Sequence, residues 1–303
     1  MADVGADDLG VDGLAHRRIE RDGVGIATWS GGSGDTVVLL HGYPQTSHMW
    51  RHLVPALLED HHVVLADLRG YGASDAPEPG PGDASYAKRE MAADVALVLD
   101  TLGVDSAHLV GHDRGGRVVH RFCLDFPELV RTAAVLDIVP SLHMFEHVDR
   151  AMAEAYFHWF FLARGGGLPE TLLRADPDTW IRSRFAGRHR DGFVFEESAV
   201  QAYADAFRRP GVVEATCADY RAAAGIDLEH DRADREAGRT VQSPLLVGWG
   251  TSGYVGRSFA VPEVWSGFAA DVHPAPIEAD HYVAEENPAA TLAALDDFWT
   301  VTR

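Results

Sequence analysis

The segment Leu109-Val110-Gly111-His112-Asp113-Arg114-Gly115-Gly116-Arg117 sets a carboxylate between two glycines in a G-x-D-x-G spacing. The apolar run Ala107 to Val110 reads as a buried strand, and Gly115 to Leu124 as a helix that starts at once. A turn this tight needs small residues at Gly111 and Gly115, and it lifts the central side chain above the sheet edge. Serine in that place would attack acyl carbon. A carboxylate suits displacement at a saturated carbon, followed by hydrolysis of the ester that results. The plainer alternative is that Asp113 caps the following helix, as aspartate often does.

Two arginines accompany this carboxylate. Arg114 follows it directly, and Arg117 lies four residues on from Asp113, on the same helical face. Two guanidinium groups beside a catalytic carboxylate are costly unless an anion fills the space between them. A substrate carboxylate held by bidentate hydrogen bonds would fit. The alternative is that Arg117 pairs with a core acid, because buried charges are paired. Farther along, His158, Trp159 and Tyr220 could each point a polar hydrogen at a leaving anion. An adjacent His-Trp in an aromatic helix is, by itself, ordinary packing.

The elements that must hold these groups alternate through the first 140 residues. Val24 to Trp29, Thr36 to Leu40 and His62 to Ala66 read as strands, the first two separated by the turn Gly31-Gly32-Ser33-Gly34-Asp35. Tyr86 to Leu102 is apolar at helical spacing (Met91, Val95, Leu97, Val98, Leu102). The Ala107 strand, the Asp113 turn and its helix follow, then a strand over Thr132 to Ile138. This alternation predicts a mostly parallel sheet with helices on both faces. From Pro140 to about Thr240 strand signals cease and aromatic and charged residues mix at helical spacing, with Asp227 to Arg239 reading as a solvated helix. Core character returns in the strand Pro244 to Gly250, a weaker strand Pro276 to Ala279, and a closing helix Pro288 to Val301. The expected division is a core of residues 1–140 and 241–303 with a helical cap of residues 141–240 inserted after the sixth strand.

Composition narrows the partners. The chain has 303 residues, 46% of them hydrophobic, enough for one large core with an insert. Its net charge of −20, from 46 acidic and 26 basic residues, argues against nucleic acid or an anionic membrane surface as partner. Lys88 is the sole lysine. Cys123 and Cys217 stand too far apart for a C-x-x-C site, and the 16 histidines are scattered without an H-E-x-x-H pattern, so no metal is expected. The acidic stretch Met1 to Gly10 lacks a signal-peptide pattern, and no run reaches the length of a membrane span. A cytoplasmic protein is the expectation.

The order of parts is more telling than any one of them. His41-Gly42-Tyr43-Pro44 follows a strand, then come the Asp113 turn, a helical insert, and Asp280-His281-Tyr282 after the last strand. Over nearly its whole length the chain resembles the α/β-hydrolase fold. The resemblance implies that backbone N–H groups of Tyr43 and Arg114 hold an oxyanion and that His281 is the general base. Many hydrolases of this fold carry the triad acid after the seventh strand, but Trp249-Gly250-Thr251-Ser252-Gly253 has no carboxylate. Asp137, at the end of the sixth strand, is the substitute; the alternative is a turn residue.

Taken with Gln45-Thr46-Ser47-His48-Met49-Trp50, Asp67-Leu68-Arg69-Gly70-Tyr71-Gly72 and Asp219-Tyr220-Arg221-Ala222, the chain resembles the fluoroacetate dehalogenase family. That resemblance implies hydrolysis of short 2-halo acids through an ester on Asp113, with Arg114 and Arg117 on the substrate carboxylate. It places the halide at His158, Trp159 and Tyr220. It also implies a small anionic haloacid as substrate, no metal or organic cofactor, and a homodimer. An epoxide hydrolase is the enzymatic alternative, with Tyr220 and either Tyr156 or Tyr203 protonating the epoxide oxygen. Relatives acting on neutral haloalkanes or epoxides usually carry Trp where this chain has Arg114, which counts against a neutral substrate. A non-catalytic small-molecule receptor of the same fold is the remaining alternative, disfavoured by the intact Asp113, His281 and Asp137.

Overall fold

The computed structural model describes residues 9–302, so most of the acidic Met1 to Gly10 stretch lies outside the described residues. Eight strands, β1 (Ala15–Arg21), β2 (Val24–Gly32), β3 (Asp35–Leu40), β4 (His61–Ala66), β5 (Ala107–His112), β6 (Val130–Leu136), β7 (Leu245–Gly250) and β8 (Val272–Ile277), form one sheet in the order β1-β2-β4-β3-β5-β6-β7-β8. The β1–β2 and β2–β4 pairs are antiparallel and the rest parallel. Val37–Leu40, Val63–Ala66, Ala107–Val110 and Ala133–Leu136 are buried on both faces, which is why these strands read as unbroken apolar runs rather than as alternation.

The two ends of the sheet differ from the sequence reading. β1 carries the charged run Ala-His-Arg-Arg-Ile-Glu-Arg, and only Ile19 in it is buried. It is an edge strand, where charge protects an open ladder instead of arguing against a strand. β8 spans Val272–Ile277 rather than Pro276 to Ala279, with Pro274 and Pro276 inside it. Proline is tolerated there because β8 is the opposite edge.

Helices cover the sheet. α1 (Val54–Asp60), α2 (Lys88–Leu102) and α3 (Arg114–Asp125) belong to the first half, and Tyr86 sits in a 3₁₀ turn just before α2. Gly103 ends α2 at φ 70°, the left-handed conformation that glycine supplies most readily. Between β6 and β7 run α4 (Ser141–Glu146), α5 (Arg150–Ala155), α6 (Phe157–Leu162), α7 (Leu168–Ala175), α8 (Pro177–Phe185), α9 (Glu197–Phe207), α10 (Val212–Ala224) and α11 (Ile226–Glu236), with no strand among them. α11 is not simply solvated: Asp227, Leu228 and Asp234 are buried, and Asp231 and Asp234 take the guanidinium of Arg121 from α3 at 2.9 and 2.6 Å. α12 (Tyr254–Ser258) and α13 (Val261–Trp265) follow β7, and α14 (Val283–Glu286) and α15 (Pro288–Val301) close the chain. Cys123 and Cys217 are buried free thiols. Among the described residues no helix is long and apolar enough to cross a membrane.

Candidate active site

β5 turns into α3 through a single residue, Asp113, held at φ 47° and ψ −111°. The glycines at the turn answer to backbone crowding. A Cβ on Gly111 would come within 2.4 Å of the Gly115 carbonyl oxygen, and one on Gly115 within 2.3 Å of the Leu40 carbonyl oxygen at the end of β3. A positive φ on a non-glycine residue is strained, and such strain collects where a side chain must be presented. The Asp113 side chain makes no capping bond to α3. Instead its Oδ1 accepts the Tyr43 backbone N–H at 3.0 Å.

His281 lies on the loop after β8. Its Nδ1 is 2.7 Å from Asp137 Oδ2, and its Nε2 is 4.0 Å from Asp113 Oδ2. Asp137 follows β6 at φ 53°, and its Oδ1 accepts the Gly250 N–H at 3.0 Å. The end of β7 thus supplies a donor that orients the acid rather than an acid of its own. His112 Nε2 donates to the His281 carbonyl at 2.8 Å, fixing the loop that carries the imidazole.

The charges in this cluster follow from burial and proximity. Burial opposes ionisation of Asp113, but His281, His112, Arg117 and Arg114 outweigh it and hold the carboxyl well below its ordinary range. Burial pushes the Asp137 carboxyl up and the His281 imidazole down, the latter helped by Arg188. A fully ionised Asp137–His281 pair is therefore disfavoured.

The two arginines have different surroundings. Arg114 donates from Nε and Nη2 to the Asp219 carboxylate and from Nη2 to the Asp219 carbonyl. Asp219 also receives the Tyr71 hydroxyl at 2.6 Å and the ammonium of Lys88. Arg117, by contrast, has no carboxylate partner among the described residues; its Nη1 donates to the Val139 carbonyl at 3.1 Å and to Ser141 Oγ at 2.9 Å. The core acid considered for Arg117 thus belongs to Arg114.

His158, Trp159 and Tyr220 come together with these groups. The Arg114 Cζ sits 4.4 Å from the Tyr220 ring centroid and the Arg117 Cζ 4.7 Å from that of Trp159. The Tyr220 ring is 5.8 Å from His158, 6.3 Å from Trp159 and 5.5 Å from Tyr43. All are buried. Buried polar groups in native proteins are normally hydrogen-bonded, yet Arg114 Nη1, Arg117 Nε, His158 Nδ1, Trp159 Nε1 and Tyr220 Oη all lack a partner. Burial, followed by Arg188 and Arg184, holds His158 well below its ordinary value, so it is neutral. Of the tyrosines weighed for epoxide opening, Tyr156 packs against His158 at 5.7 Å, whereas the Tyr203 hydroxyl donates to Glu285 at 3.1 Å. No three His, Cys, Asp or Glu side chains among the described residues gather as a metal site.

Sequence reasoning missed Asp219, which holds Arg114, and Lys88, which shares that carboxylate, as well as Arg184 and Arg188 between β6 and β7. The sole lysine and the acid just before Tyr220 were signals for the first two. Nothing in the spacing marked the second pair, because only the fold brings Trp180 of α8 to Tyr43 and Arg188 beside Tyr282.

The family model described as alpha/beta hydrolase fold matches residues 35–288. The chain is 40% identical over 293 residues to a fluoroacetate dehalogenase from Burkholderia sp., covering 96% of both chains. It is 31% identical over 283 residues to a soluble epoxide hydrolase from Corynebacterium sp. (strain C12), covering 91% of this chain and 93% of that one. A crystal structure from Nostoc sp. PCC 7120, described as an α/β hydrolase, superposes with a TM-score of 0.92 at 40% identity, covering 95% of this chain and 98% of the other.

Proposed function

The chain belongs to the α/β-hydrolase fold family, and from that premise we propose that it hydrolyses short 2-halo acids, fluoroacetate among them, to the 2-hydroxy acid and halide. The observation that carries this reading is the pair of guanidinium groups beside an ionised Asp113, each with an unpartnered buried N–H. Such groups suit a substrate carboxylate and no neutral molecule.

Asp113 Oδ2 attacks the α-carbon from behind the carbon–halogen bond while Arg114 and Arg117 hold the carboxylate. The bonding pair leaves with the halide, which takes donors from His158, Trp159 and Tyr220. Each charge-assisted hydrogen bond is worth about 1.5–3 kcal/mol, so together they lower the barrier by several kcal/mol. His281 Nε2, 4.0 Å from Asp113 Oδ2, is the base that activates a water toward the ester. It takes the proton as the water attacks the ester carbon. The negative charge then develops on Oδ1, which already accepts the Tyr43 N–H, with the Arg114 N–H as second donor. The Cγ–Oδ2 bond then breaks, the leaving alkoxide takes the proton from the His281 imidazolium, and Asp113 returns to a carboxylate on loss of the second water proton. Asp137 holds the imidazole by Nδ1 throughout.

Helices α4 to α11, residues 141–240, act in this reading as a cap over the core of residues 1–140 and 241–303. The working form is a cytoplasmic homodimer, which sedimentation of the purified protein tests. The direct test of substrate class is halide release from fluoro-, chloro- and bromoacetate beside the matching amide, a simple haloalkane and styrene oxide. The acids alone should react. Faster turnover of a neutral substrate would assign the site to the epoxide hydrolase alternative.

A further inference from the structure

Two arginines of the insert are held by aromatic rings instead of carboxylates. Arg184, near the end of α8, has its Cζ 4.3 Å from the Trp180 ring centroid and 4.7 Å from that of Phe157. Its Nε and Nη2 reach only its neighbour Ser183 Oγ, at 3.3 and 3.1 Å. Arg188 has its Cζ 5.2 Å from the Tyr156 ring and 6.0 Å from that of Tyr282. Neither is ion-paired with a carboxylate among the described residues. A ring occupies the face of a guanidinium and leaves its in-plane N–H groups available to an anion.

The rings that hold the pair border the Asp113 site. Tyr156 and Phe157 immediately precede His158, with ring centroids 5.7 and 6.1 Å from it. Tyr282 follows His281, its ring 4.8 Å from the imidazole, and its hydroxyl donates to the Arg184 carbonyl at 2.9 Å. Trp180 Nε1 donates to the Tyr43 hydroxyl. On the outer side Phe157 is 45% exposed and Arg188 half-buried, while His158 and Asp113 are sealed. Arg188 thus borders solvent, while Arg184 is buried at 6% exposure against Phe157 and Trp180. Inside, Arg114 is balanced by Asp219, and Arg117 faces Asp113. Arg184 has no carboxylate counterpart among the described residues, and Arg188 feels the Asp113 charge without an ion-pair contact, in a chain whose net charge is −20 and which repels anions at long range.

We propose that Arg184 and Arg188 form an outer anion site, which receives small monovalent anions on their way into and out of the buried Asp113 site. Its ligands are the carboxylate of the incoming acid and the outgoing halide. That assignment of traffic rests on the dehalogenase reading, whereas the anion site itself does not.

Iodide quenching of tryptophan fluorescence tests the site directly, because Trp180 lies under Arg184. The Trp159→Phe background removes the inner reporter. In it, quenching should saturate, and acetate should reverse it. The pair R184Q/R188Q should lose the saturable part and keep only linear collisional quenching, and R184K/R188K should restore it. Unchanged saturation in the glutamine pair, or failure of the lysine pair to restore it at native circular dichroism, overturns the proposal. The kinetic arm uses chloroacetate. At low salt kcat/KM should fall about tenfold in R184Q/R188Q, and the gap should close near 1 M salt, where screening acts over roughly 3 Å. An equal kcat/KM at low salt, or a gap that persists at high salt, also overturns it. If the unmodified protein releases no halide from any haloacid, the dehalogenase reading fails and the quenching result alone decides the anion site.

Discussion

Arg114 grips Asp219 through Nε at 2.8 Å and Nη2 at 2.6 Å with neither side chain exposed, so the guanidinium beside Asp113 is locked in one orientation and Nη1 is left unpartnered. Burial works against the charge of Arg114, but Asp219 raises its pKa well above the ordinary value, and Arg114 and Lys88 bring Asp219 down to about 2. Removing one member of such a pair leaves an uncompensated buried charge. Asp219→Ala should cost ~3–5 kcal/mol of stability in urea unfolding. Arg114→Lys keeps the charge but loses the planar fork, and should lower kcat/KM for haloacids without the same loss of stability. A loss below ~1 kcal/mol in Asp219→Ala, the range of an exposed pair, would mean that the contact is incidental.

Arg117 differs in having no carboxylate partner, and burial lowers its pKa. Arg117→Ala should weaken productive binding of haloacetate by ~2–5 kcal/mol, seen chiefly in KM. It should do far less to stability than Asp219→Ala, because it removes a buried charge instead of orphaning one. An unchanged KM would place the substrate carboxylate elsewhere.

The indole N–H of Trp159 separates hydrogen bonding from packing. Trp159→Phe retains the aromatic surface beneath Arg117 and deletes the donor. Fluoride is small, basic and a poor leaving group, so its departure depends on such donors more than that of bromide. The ratio of fluoroacetate to bromoacetate turnover should fall about tenfold, equivalent to ~1.4 kcal/mol. Equal losses on both substrates would leave Trp159 a packing residue.

Buried neutral histidines make stability depend on pH. Burial holds His112 down to about 4 and His120 to about 3, against 6.5 for a free imidazole. The unfolded chain takes up these protons first, so their contribution is complete above pH 6.5 and is lost as the pH falls toward those values. At ~1.36 kcal/mol per unit, His112 alone should cost roughly 3 kcal/mol by pH 4. Urea midpoints measured from pH 7.5 to 4.5 should fall steadily, and a flat profile would contradict neutral burial.

Much of this arrangement was legible because chain order and local chemistry agree. The turn at Asp113, the apolar strands around it and the helix Pro288–Val301 are each dictated by neighbours in sequence. β1 was not legible, since an edge strand with one buried residue has neither alternation nor an apolar run. Asp219 and Lys88 lie 131 residues apart and meet only when α10 packs near the start of α2. A buried network joined over such separations leaves no periodic trace, and the same holds for Arg184 and Arg188.

The central claim is that turnover passes through an ester on Asp113. His281→Asn leaves the attack possible and removes the base that activates water, so the protein treated with haloacetate should stall with a carboxymethyl group on Asp113. Peptide mass spectrometry of that variant reads the claim directly. One carboxymethyl adduct confined to the peptide containing Asp113, appearing with one equivalent of halide, is the predicted result. Halide release with no adduct, or an adduct that forms equally in Asp113→Asn, would show that water attacks the substrate directly or that labelling is unspecific, and the ester mechanism would fall.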